Sequence, residues 1–79
     1  MLNTIKLNNS LKHSTLTNIQ ITLIKNTFKA LNNKPQTVRE LNKTLQVSNL
    51  FTLSWCLDWL CYNGFAKRIK TTIANLYCI

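Results

Sequence analysis

Pro35 and the run Thr37-Val38-Arg39-Glu40 are the strongest constraint on how this chain folds. Proline cannot continue a helix, because its ring removes a backbone N–H and clashes with the preceding turn. Two residues later comes a capping box. The Thr37 hydroxyl can accept the N–H of Glu40, and the Glu40 side chain can return to the N–H of Thr37. One helix must therefore end before Pro35, and a second must begin at Thr37.

Upstream, a helix is expected to start near Thr15 to Asn18. Ile21, Ile24, Phe28 and Leu31 repeat at three and four and form its core face. Leu16, Ile19 and Leu23 form a second stripe, rotated by about 130°. Asn32-Asn33 supplies the stop. The helix from Thr37 turns Val38, Leu41 and Leu45 inward, so Glu40 reads as a structural residue. After a tight turn at Gln46–Asn49, with Ser48 or Asn49 as cap, a third helix runs to Asn63, and Gly64 suits the left-handed position beyond it. Leu50, Leu53, Leu57, Leu60 and Cys61 are its expected core face. The alternation of Phe65, Lys67 and Ile69, then Ile73, Asn75, Tyr77 and Ile79, predicts a hairpin joined around Lys70-Thr71-Thr72. Residues 1–15 are Asn-rich. Leu2, Ile5, Leu7 and Leu11 show no clear period there, so the segment reads as an N-terminal arm, loose or docked on a partner subunit, ahead of a domain at 16–79.

Charge narrows the function. The 79 residues carry ten Lys and Arg against two acids, Glu40 and Asp58, for a net charge of +8. That imbalance points to a polyanion, nucleic acid before an anionic membrane. The two carboxylates lie far apart in sequence and His13 is the only histidine, so general acid–base catalysis is not expected. Neither a metal cluster nor a phosphate-cradling loop can be assembled, and no cofactor, metal or small-molecule substrate is predicted. Cys56, Cys61 and Cys78 form no CxxC and are odd in number. They read as small apolar residues in a reducing cytoplasm, with an intermolecular disulfide through Cys78 as the alternative. The N-terminus lacks the apolar core of a targeting peptide. Leu50 to Phe65 is too short to span a bilayer. Eleven Asn, with many Ile, Lys and Thr, match AT-rich coding DNA, often that of a virus or mobile element.

The order of elements resembles the winged helix-turn-helix family of DNA-binding domains. The resemblance covers about residues 18–79. It rests on the run Ile21 to Leu31, the segment Pro35 to Leu41, the turn Leu45-Gln46-Val47-Ser48, the passage Leu57 to Phe65 and the closing Asn75 to Ile79. It implies a mainly α fold of three helices with a C-terminal β-hairpin wing. The helix over 49–63 would enter the major groove and present Asn49, Phe51, Thr52 and Trp55 to double-stranded DNA. Lys67, Arg68 and Lys70 would be the wing's phosphate contacts. Arg39 and Lys43 would cross the backbone from the second helix.

The sequence departs from a typical reader in one respect. No Arg or Lys lies between Asn49 and Asn63, so the commonest base contact, Arg to guanine, is missing from that helix. Asn49 suits adenine and Thr52 a thymine methyl. Phe51, Trp55, Trp59 and Tyr62 instead fall between about 100° and 180° around the axis from Leu50, nearly opposite the core leucines. Trp59 and Tyr62 are expected to be covered by the arm, the wing or a second subunit, and Trp55 to be partly exposed and sensitive to DNA. A homodimer is expected through Leu16, Ile19 and Leu23. The expected function is sequence-specific DNA binding by a small cytoplasmic transcriptional regulator, in host cytoplasm or nucleoid if viral. The alternative is a winged-helix protein-interaction module that uses the aromatic face of helix 49–63.

Overall fold

The computed structural model describes residues 2–79, with side chains from Thr4 onward. The reading of Leu2 as an apolar contact lies outside the described side chains. The order is α1 (Leu2–Lys12), α2 (Asn18–Ala30), α3 (Val38–Leu45), α4 (Leu50–Tyr62), β1 (Lys67–Lys70) and β2 (Asn75–Cys78). This is a mainly α-helical fold with a small antiparallel hairpin. Among the described residues no helix is long and apolar enough to cross a membrane.

The helix ends follow local chemistry. Thr17 caps α2 in a full capping box: its Oγ1 accepts from the N–H of Gln20 at 3.2 Å, and Gln20 Oε1 accepts from the N–H of Thr17 at 3.0 Å. The sequence Thr17-x-x-Gln20 carried that signal as openly as Thr37 did. The second box, Thr37 with Glu40, is present with both bonds at 3.1 and 2.9 Å. Asn49 caps α4 by accepting from the N–H of Phe51 at 2.9 Å. At the far end of α4, Gly64 adopts φ +81°, where a Cβ is disfavoured. The N–H of Phe65 then donates to Leu60 O at 2.8 Å, and that of Gly64 to Cys61 O at 3.1 Å. These two bonds make a Schellman ending, and the apolar contact that accompanies one is supplied by Phe65 stacked on Trp59, centroids 6.2 Å apart.

The link between α3 and α4 is closed by a side chain. Gln46 takes a left-handed conformation, φ 54°, and Asn42 reaches past it to the backbone of Val47. Asn42 Oδ1 accepts from the Val47 N–H at 2.7 Å, and Asn42 Nδ2 donates to the Val47 carbonyl at 3.1 Å. These two bonds tie the end of α3 to the link that leads into α4.

The core gathers Ile24, Phe28 and Leu31 of the α2 region, Leu41 of α3, Leu53, Cys56, Leu57 and Leu60 of α4, and Tyr77 of β2. The predicted faces of α2 and α3 are met, with Ile21, Val38 and Leu45 at the core's margin. Leu50 is a correction. It opens α4 at the surface, with no preceding turn to cover it, and Cys56 takes the inner position. The N-terminal segment holds a helix, and its Leu7 and Leu11 are fully buried in the same core.

β1 and β2 pair with Lys67 opposite Cys78 and Lys70 opposite Asn75. The loop is Thr71–Ala74, so Ile73 belongs to the turn and not to a strand. Thr71 organises it: its hydroxyl accepts from the N–H of Ala74 at 3.0 Å, and its own N–H donates to Ala74 O at 3.1 Å. β2 is also tied to the segment before α3. The Gln36 N–H donates to Tyr77 O at 3.0 Å and the Tyr77 N–H to Gln36 O at 2.8 Å, an antiparallel bridge outside the hairpin.

Candidate nucleic-acid interface

The cations expected to meet phosphate lie on two elements. Arg39 and Lys43 are exposed on α3, one turn apart. β1 is exposed along its whole length, and its period of two sends Lys67 and Ile69 to one face, Arg68 and Lys70 to the other. Arg68 is already engaged within the chain. Its guanidinium pairs with Asp58 of α4 and sits over the Tyr77 ring, 5.7 Å from the centroid. Lys67 and Lys70 have no such partner among the described residues. Glu40 sits beside Lys34 and Lys43. Its carboxyl is held below the usual range, first by the Thr37 backbone N–H and then by the Thr37 side chain, with the two lysines adding to the effect. Both acids of the chain thus have intramolecular partners.

The residues expected to read bases are placed less favourably. Asn49 is exposed, yet its Oδ1 holds the cap of α4, so a bidentate pairing with adenine must share or break that bond. Thr52 is half-buried and borders a narrow crevice with Leu23, Leu45 and Val47. Phe51 is 85% exposed and Trp55 39%. The outward face of α4 is completed by Asp58 and by Tyr62, 91% exposed. Trp59, expected to be buried, is half-buried under Phe65 because the Schellman turn folds over only one side of its ring. Tyr62, expected to be covered as well, is exposed.

The expected dimer stripe is divided. Leu16 and Leu23 are half-buried against the core of their own chain, and Ile19 alone stands out, 75% exposed. Packing of α2 on α4 creates a juxtaposition that rotation angles within one helix do not reveal. One hollow is bordered by Ile19 and Leu23, the next by Leu23, Phe51 and Trp55, and a third, of about 550 Å³, by Trp55, Trp59 and Tyr62 with Asp58 and Arg68 at its edge. Leu23 and Trp55 are shared between neighbours, so the hollows adjoin in a row, with Asn18, Gln20, Thr22 and Thr52 bordering them beside the apolar side chains.

No known protein family, curated protein or solved structure matches this chain.

Proposed function

We propose that this chain is a winged-helix protein that binds double-stranded DNA as a small, homodimeric transcriptional regulator. The observation that carries the reading is the exposed basic strand β1, in a chain of net charge +8 whose two acids are held by its own groups. Lys67 and Lys70 on the hairpin and Arg39 and Lys43 on α3 supply phosphate contacts, which give affinity and orientation. Base reading falls to the N-terminal end of α4, where Asn49 is exposed.

Titration of duplex DNA at several salt concentrations tests this. With four to six cations on phosphates, log K falls with log salt at a slope of about −4 to −5. Lys67→Ala and Lys70→Ala each weaken binding to all sequences alike, and Arg68→Ala weakens it less, since Arg68 is shared with Asp58. Absence of binding at low salt, or a flat salt dependence, removes the reading.

The second reading is a protein-interaction module on the same fold. It is favoured by the free rings of Phe51 and Tyr62 on a face of α4 that bears no cation.

A further inference from the structure

We infer that the strip Ile19–Leu23–Phe51–Trp55–Trp59–Tyr62 is where a second copy of this chain docks, so that α2 and α4 together form a twofold interface. The inference deepens the dimer in the proposed function and is independent of whether the chain binds DNA.

Area is the first argument. A stable complex takes about 800 Å² from each partner. Aromatic side chains carry about 150–250 Å² each, so the free portions of Phe51, Trp55 and Tyr62 come to on the order of 400 Å². That is half of what a dimer needs, from three residues. Ile19, Leu23 and Trp59 border the adjoining hollows and add to this area.

Charge selects the occupant. Ten cations are spread over this small chain, yet among the described residues the hollows of the strip are bordered by a single one, Arg68, and by a single acid, Asp58. A polyanion gains nothing from such a surface. A twofold axis brings each residue i against j and each j against i, so a strip whose one acid and one base neutralise each other meets its own copy without charge repulsion. Asp58 and Arg68 already pair within each copy, so neither brings an unpaired charge to the contact. Among the described residues, none of the remaining cations borders these hollows. With Phe51 and Trp55 covered in this way, α4 has only its cap Asn49 and the side of its first turn away from Phe51 to offer a groove.

Sedimentation equilibrium of the full chain without DNA, from 1 to 100 μM and across salt concentrations, tests the inference. A dimer is expected, and it tightens as salt rises, because screening relieves the repulsion between two chains of +8 while the contact itself is apolar. DNA binding moves in the opposite direction with salt, so failure of one reading is not mistaken for failure of the other. Phe51→Ser and Tyr62→Ser, at positions too exposed to support the monomer's core, each weaken the dimer tenfold or more. Ile73→Ser, equally exposed on the hairpin turn, leaves it unchanged. A chain that stays monomeric at 100 μM, or a dimer indifferent to both α4 substitutions, overturns the inference and leaves the strip to a different protein.

Discussion

Thr37 and Glu40 carry more of the fold than their exposure suggests. Each satisfies a backbone N–H that the first turn of α3 leaves without a helical partner. Thr37→Ala is expected to cost about 1 kcal/mol in urea unfolding, with no change in DNA preference. The acid side has a definite sign. The Glu40 carboxyl is lowered in the folded chain, chiefly by the Thr37 N–H, so its contribution is present above the unfolded carboxylate range and is lost as pH falls through the folded value. Glu40→Gln keeps an acceptor for the Thr37 N–H and removes that part of the acid sensitivity, which urea midpoints between pH 7 and pH 3 will register as a flatter profile. The cysteines follow a different rule. Burial pushes the Cys56 thiol up, against the pull of the Thr27 hydroxyl, and burial likewise raises Cys61, against Arg68. Since the thiolate is the reactive form, alkylation of both at pH 8 should be slow in the folded chain and fast in urea. Rapid labelling of native Cys56 would mean that α2 and α4 separate readily.

At the scale of elements, the clasp from Asn42 to Val47 is the most exposed to test. Asn42→Ala strips two bonds from a half-buried backbone unit and is expected to cost roughly 1–3 kcal/mol. Asn42→Asp retains the acceptor but not the donor and should fall between, with urea unfolding as the measurement in both cases. The clasp was not legible in the sequence, because an Asn at that position reads as an ordinary exposed helix residue. The turn itself was legible, through Ser48 and Asn49, and so were both faces of the capping box at Thr37. Helix α1 lies at the other extreme. Asn3, Asn8, Asn9 and Ser10 are weak helix formers that dilute its pattern, and Leu7 and Leu11 alone, one turn apart, do not declare a period. Its helicity is secured by the core that these two leucines enter, which is tertiary information. Leu50 erred in the opposite direction. Its spacing matched the core face, but a first-turn residue has no helix before it to share its cover.

For the whole molecule, the charge imbalance and the rotation of Phe51, Trp55 and Tyr62 away from the core were readable in advance, whereas Trp59 packs at the core's margin. What sequence could not supply was which stripe of α2 would lie beside which stripe of α4, since that depends on how the two helices cross. The hairpin carries a consequence of its own. β2 is held on both sides, by β1 and by Gln36, whereas β1 is paired on one side only among the described residues. An open strand edge is a template for strands from other molecules, and lysines along it are a common means of keeping them off. Changing Lys67, Arg68 and Lys70 together to Ala would therefore do more than weaken phosphate contact. It would leave a neutral run from Phe65 through Ala74 with an unguarded edge, and light scattering should show it forming aggregates at concentrations where the native chain stays clear. Lys67→Glu with Lys70→Glu should lose DNA just as fully and remain dispersed, because mutual repulsion guards an edge with either sign of charge.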